Sequence, residues 1–297
     1  MTVLQDILQN FQFERKLSQD SRSKLVHILG KVNGKDCILS IEKLPFEDEA
    51  LSTFGQSIAQ LDKQVDNNIY GWGYGHYDLA VLDTKIKYIY PATELHIKKY
   101  EEQAKVMIIE TPKVYQQVTK PYIDSIPSSR IDWVHNILKG EAEVDHVIYH
   151  DHDPTQGFVI LPDMKWDGNT ISSLYLVAIF MDPTLLSIRS LTPTHLPLLK
   201  QFQSTCYQLV KEKYGLNPHQ LRLFFHYQPS YYHLHIHITS LSMVDPPGAL
   251  VGQAHLLDTV ISNLELYPTY YQQATLSFVI GERHPLYSNY TKWIQSE

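Results

Sequence analysis

The chain is 297 residues long, 43% hydrophobic and 19% charged, with a net charge of -7. That length supports one large or two ordinary domains with a proper core, and the composition excludes a mostly disordered chain. The acidic balance excludes a broad basic face for duplex nucleic acid, and two cysteines, Cys37 and Cys206, exclude a disulfide framework and fit a reducing compartment.

Val3, Leu4, Ile7, Leu8 and Phe11 fall at helical spacing and predict a short amphipathic helix. Residues 24–43 read as a hairpin turning at Asn33-Gly34. Thr84 to Tyr90 alternates polar and apolar residues and reads as a strand ended by Pro91, and residues 92–110 read as helical. Thr111-Pro112 has the chemistry of a helix start, and Ile131 to Leu138 is a short helix closed by Gly140. The second half is richer in strands, at 145–150, 157–161, 174–181, Leu221 to Tyr227, Tyr232 to Leu241 and Thr275 to Ile280. Helices are expected at Pro193 to Tyr214, capped by Gly215, and at Ala249 to Leu264. The class is α+β with a mainly antiparallel sheet. A soft boundary falls near residues 100–112, inside the expected helical stretch. The longest apolar run, Leu174 to Met181, is too short to span a bilayer. Met1 to Phe13 carries Asp6 and no basic cluster, so it does not read as a secretory signal. The expected location is cytoplasmic, with nuclear access open.

The chemistry concentrates in Tyr231-Tyr232-His233-Leu234-His235-Ile236-His237-Ile238. On a strand, alternate side chains share a face, so His233, His235 and His237 stand together, about 6.5–7 Å apart between successive Cα atoms. Leu234, Ile236 and Ile238 turn to the other face and can enter a core. A hairpin centred between Pro229 and Ser230 would place His226 opposite His233. Such a cluster can hold a zinc-class metal, although no Asp or Glu lies between Glu212 and Asp245 to support one locally. It can also perform nucleophilic catalysis at phosphorus without a metal, because neutral imidazole is a good nucleophile near pH 7. His235, the central member, would then attack while a neighbouring histidine supplies a proton.

The run His233-Leu-His235-Ile-His237-Ile resembles the motif of the histidine triad superfamily. The longer string from His226 to His237 is similar to that of the scavenger mRNA-decapping (DcpS) family, and nearest to its fungal members. Tyr90-Pro-Ala-Thr-Glu94, Trp133 to Leu138 and Gly157 to Asp167 resemble the same family, over about residues 10 to 285. The resemblance implies a domain-swapped N-terminal α+β half (1–103), for dimerisation and as a lid, and a C-terminal histidine-triad half (104–297) for catalysis and cap binding. It implies a homodimer that cleaves the 7-methylguanosine cap of short capped RNA or cap dinucleotide into 7-methyl-GMP and a 5′-diphosphate product, with no cofactor and no metal, and RNA decay factors as candidate partners.

The resemblance also assigns roles. His235 matches the nucleophile, and His233, His237 and His226 match its supporting histidines. Trp133 matches the base-stacking tryptophan, and Glu143 the carboxylate that accepts from the guanine edge. Pro162, Asp163, Met164 and Lys165 match the opposite wall, with Met164 on the base, Asp163 near the ribose and Lys165 on the phosphates. Ser230 and Tyr231 match phosphate-contacting positions, and Asn67 and Tyr70 match residues that close over the ligand. Two departures stand out: Gln253 replaces a basic residue often found near the phosphates, and Gly71 to Tyr77 is unusually glycine-rich. Two alternatives remain. One is another histidine-triad nucleotide hydrolase, and the other is a catalytically weak cap-binding regulator of RNA decay.

Overall fold

The computed structural model describes residues 3–21, 23–43, 58–67, 70–77 and 84–296. Two units emerge, Met1–Gln103 and Ala104–Glu297, both mixing helices with antiparallel sheet, as the α+β class requires.

In the first unit, helix α1 (Val3–Asn10) buries Ile7 against Val32, Cys37 and Leu39. Strands β1 (Gln12–Asp20), β2 (Leu25–Val32) and β3 (Lys35–Lys43) are followed by the ribbon β4 (Ile58–Asn67) and β5 (Tyr70–Tyr77), then by β6 (Thr84–Ile89). The main sheet has the order β1-β2-β3-β6. The expected turn sits at Asn33 and Gly34, with φ of 49° and 76°, a pair of left-handed residues that matches the twist of the flanking strands. Helix α2 (Glu94–Tyr100) closes the unit.

The expected helix over 92–110 stops at Tyr100. Residues Lys105–Glu110 form strand β7, because Val106 and Ile108 alternate with Met107 and Ile109 and the run is rich in β-branched side chains. Its partner is β14 (Leu276–Gly281), with Ile108 opposite Phe278. The division at 103/104 therefore falls in a non-helical link, and not inside a helix.

The second unit continues with α3 (Asp132–Leu138), β8 (Tyr149–His150), β9 (Phe158–Pro162), β10 (Tyr175–Phe180), α4 (Leu196–Tyr214), β11 (Leu221–His226), β12 (His235–Ser240), β13 (Ala254–Leu256), α5 (Leu257–Leu266) and α6 (Pro285–Ser296). Its six-stranded sheet has the order β13-β11-β12-β10-β9-β8. One face carries Phe158, Ile160, Leu176, Ala178, Ile236 and Ile238 into a core shared with Leu198, Leu199 and Phe202 of α4 and Val260 and Leu264 of α5. The opposite face carries Val159, Leu161, Val177 and Ile179 against Val134, Ile137 and Leu138 of α3. Two expected elements shrink. The 145–150 strand is only Tyr149–His150, and the 249–264 helix begins at Leu257, because Gly252 at φ 80° breaks helical backbone and Ala254–Leu256 pairs with β11. No helix of the described residues is long and apolar enough to cross a membrane.

Phe202 stands 5.3 Å from Phe158 and 5.6 Å from Phe180, ring centre to ring centre, and is fully buried. Phe202→Ala should therefore cost about 3–5 kcal/mol in urea unfolding of this unit.

Candidate active site

Strand β12 is buried along its whole length. Ile236 and Ile238 enter the α4 core, so alternation turns His235 and His237 to the opposite face, where Ile179 and Val177 of β10 are their cross-strand partners. The β11–β12 register differs from the expected one. Phe224 faces His237, and Leu223 faces Ile238, a shift of two residues from the pairing that put His226 opposite His233. The cause is the connection. Residues 227–234 form a long loop and not a tight turn, with Leu234 N–H donating to the Leu185 carbonyl and Phe180 N–H to the Leu234 carbonyl. A shift of two preserves which face a side chain takes, so His226 still joins the cluster. Its ring lies 4.1 Å from that of His237. His233 leaves the strand, and its Nε2 meets the Phe180 carbonyl at 2.6 Å.

These contacts fix protons. A carbonyl can only accept, so His235 Nδ1, 2.8 Å from the His233 carbonyl, carries the hydrogen and Nε2 is left as a bare lone pair. His226 is bonded to the Pro247 carbonyl, again with Nε2 unpartnered. Both ring nitrogens of His237 are unpartnered, with Nδ1 3.9 Å from Asp163 Oδ2. A carboxylate absent from the local sequence is thus brought near His237 from just beyond β9, two strands along in the same sheet. Burial is the main cause that lowers all four imidazole pKa values, to about 4 for both His226 and His235. Lys165 lowers those of His226 and His237 further. The cluster is therefore neutral at physiological pH. Donor nitrogens of His226, His235 and His237 all lie within 4.8 Å of one another, so three neutral imidazoles could also ligate a zinc-class ion there.

A cavity of about 410 Å³ opens beside the cluster, lined by Trp133, Glu143, Pro162, Asp163, Met164, Lys165, Ser230, Tyr231 and His237 among others. Nine of the residues singled out in the sequence therefore meet in one place, although they come from α3, the loop before β8, the end of β9 and the loop after it, the β11–β12 loop and β12. Trp133 is 45% and Met164 97% exposed, so both offer free surface at the mouth. Glu143 sits in left-handed backbone at φ 54°, a conformation unfavourable for a residue with a side chain. Lys165 Nζ bonds the Asp163 carboxylate at 3.0 and 3.1 Å and lies 4.7 Å over the Tyr175 ring. His226, His233 and His235 instead line a small adjoining void with Pro229 and Leu234. Asn67 and Tyr70 are cross-strand partners at the end of the β4–β5 ribbon, in the first unit.

Tyr231, expected at the phosphates, also stacks on His235, with ring centres 4.1 Å apart and planes 16° apart, and meets Trp133 edge-on at 5.0 Å. Sequence reasoning missed three supports. Tyr175 packs edge-on against His237 and donates to the Pro247 carbonyl at 3.4 Å. His135 of α3 lies 5.9 Å from His233, and Gly248 touches His226. The Pro-Pro-Gly run at 246–248 was the visible sign of the last of these.

Family models match two stretches: the scavenger mRNA decapping enzyme (DcpS) N-terminal domain at residues 6–103 and the scavenger mRNA decapping enzyme C-terminal binding domain at 132–248. Among curated proteins, the chain is 38% identical to the m7GpppX diphosphatase of Homo sapiens over 93% of this chain and 83% of that one. It is 37% identical to that of Schizosaccharomyces pombe (96% and 95%) and 40% to that of Ascaris suum (94% and 93%).

Two predictions follow from the geometry. A Cβ on Gly248, at φ 80°, would stand 2.2 Å from His226 Nε2, so Gly248→Ala should destabilise by about 1–3 kcal/mol and shift the His226 ring resonances in NMR. His226 and His235 titrate near 6.5 when unfolded but at about 4 when folded, so as pH falls through 6.5 only the unfolded chain takes up the protons. Their contribution is intact above pH 6.5 and falls by on the order of 3 kcal/mol per group by pH 4. Urea midpoints measured from pH 7 to 4 should drop accordingly, and His226→Gln should flatten that slope.

Proposed function

The chain belongs to the scavenger mRNA decapping enzyme (DcpS) family, and from that premise we propose that it hydrolyses the 7-methylguanosine cap of cap dinucleotide and short capped RNA, giving 7-methyl-GMP and a 5′-diphosphate product. The observation that carries the reading is the single cavity in which Trp133, Glu143 and Lys165 converge on His237 of the imidazole cluster. 7-Methylguanine is cationic, and an exposed indole is the best aromatic face for a cation. A carboxylate at Glu143 suits a base edge that presents two N–H donors. Met164 covers the base, Asp163 serves the ribose, and Lys165 and Ser230 hold phosphate.

In this reading the His235 Nε2 lone pair attacks the phosphorus attached to the methylated nucleoside. An N–P bond forms as the P–O bond to the remaining diphosphate breaks. The leaving oxygen takes a proton from a neighbouring imidazole of the cluster, His237 or His226. The free site keeps these rings neutral by burial, and the triphosphate's negative charge would raise their pKa values, so that substrate supplies the protonated acid. Water then cleaves the N–P bond and frees 7-methyl-GMP. The proposal includes a homodimer, with Asn67 and Tyr70 on a lid that restricts RNA length, working in the cytoplasm and with access to the nucleus. It rests there on family resemblance.

Product analysis with EDTA present tests the reading. Release of 7-methyl-GMP from a methylated dinucleotide but not from its unmethylated counterpart is expected, with at least a ~10³-fold loss in His235→Ala. Equal cleavage of both substrates would point to a general nucleotide hydrolase. Tight binding without product would point to a cap-binding protein, and activity lost with EDTA to a metal at the histidine cluster.

A further inference from the structure

Glu110 ends β7, far in sequence from the triad and outside every motif above. Its carboxylate is completely buried and accepts five hydrogen bonds. Oε1 takes Arg189 Nε at 3.1 Å, Arg189 Nη2 at 2.7 Å and the Tyr227 hydroxyl, and Oε2 takes the Thr119 hydroxyl and Gln228 Nε2 at 3.1 Å. Arg189 is spent on structure, with Nη1 donating to the carbonyls of Tyr271 and Ala274 at 2.7 and 2.8 Å. The Gln228 amide has its other end occupied too, because Oε1 accepts the Tyr232 hydroxyl at 3.0 Å.

Gln228 and Tyr232 bracket Pro229, Ser230 and Tyr231. Ser230 and Tyr231 line the cavity, and the Tyr231 ring lies flat on His235. β12 begins only at His235, and the loop's other hydrogen-bonded anchors, at Tyr227, His233 and Leu234, flank the 229–231 segment. We propose that Glu110 and Gln228 are positioning residues, which hold the 229–231 segment so that Ser230 faces the phosphates and Tyr231 covers the ring of His235. The buried ion pair gives the tether a fixed base, because neither Glu110 nor Arg189 can move without leaving a charge unpaired in the core. The contribution of both residues to turnover rests on the function proposed above. Their effect on His235 does not.

The test uses the full chain and the variants Glu110→Gln and Gln228→Leu, with three readouts: thermal midpoint, kcat and KM on cap dinucleotide, and the rate at which diethyl pyrocarbonate acylates His235, followed by peptide mass spectrometry without substrate. Gln228→Leu removes only the loop-facing arm of the network and decides the matter if Glu110→Gln fails to fold. The expected result for Gln228→Leu is a folded protein whose His235 is acylated at least ~3-fold faster, with kcat down ~10-fold and KM changed less. Unchanged acylation and unchanged kinetics in Gln228→Leu would overturn the proposal, even with a lowered midpoint. Because acylation needs no turnover, it still tests the tether if the chain proves inactive on caps.

Discussion

Strand β12 has to satisfy two environments at once. Its apolar residues Ile236 and Ile238 are wholly excluded from water by the α4 and α5 layer, and burying two such side chains is worth about 1.5–3 kcal/mol each. Slipping the strand by one residue would put imidazoles into that core and isoleucines into the cavity. The core therefore fixes the orientation of His235 and His237 more firmly than any contact the histidines make themselves. The layer beyond them depends on the same strand. β10 presents Val177 and Ile179 beside the two histidines, and those side chains are the floor on which α3 packs to carry Trp133.

Burial then sets the chemistry. A buried imidazole resists protonation, and bonds from Nδ1 of His235 and from the His226 ring to backbone carbonyls fix which nitrogen keeps its lone pair. Five unpartnered nitrogens among the four neutral histidines leave polar groups unsatisfied, which is a cost to folding. The rest of the unit offsets it with an extensive core and with a second buried network around Glu110, in which every charge is matched. The two networks differ in purpose: one leaves lone pairs for a ligand, and the other leaves none.

Much of this was legible in the sequence because it depends on periodicity. Alternation of His with Ile told which face His235 to Ile238 take, and that conclusion survived a register error of two, since parity is unchanged, whereas His233 lies in the loop before the strand. Trp133, Glu143 and Pro162 to Lys165 could be gathered only by resemblance, because their spacing says nothing of the sheet that brings them together. The length of the 227–234 connection was not legible, as Pro229-Ser230 reads like a turn, and only the tertiary bonds to Leu185 and Phe180 reveal that the connection is a longer, bent loop. Glu110 was hidden for a related reason. The stretch Lys105–Glu110 has apolar residues compatible with both periods, and reading it as helix detached Glu110 from the strand that buries it.

The charge pattern of the cavity bears on how an acidic chain could handle a polyanion. Glu143 and Trp133 line the cavity together, and Lys165, bonded to Asp163, lies close enough to His226 and His237 to lower their pKa values. A cationic base and an anionic triphosphate would thus meet opposite local fields within one pocket, and a ligand with the reverse polarity would be rejected at both ends. Lys165 is already neutralised in part by Asp163, so the free site holds little net positive charge against its neutral imidazoles. Positive charge would then appear only when the substrate's phosphates draw protons onto the histidines, which couples binding of the correct ligand to the arming of the acid that expels its leaving group.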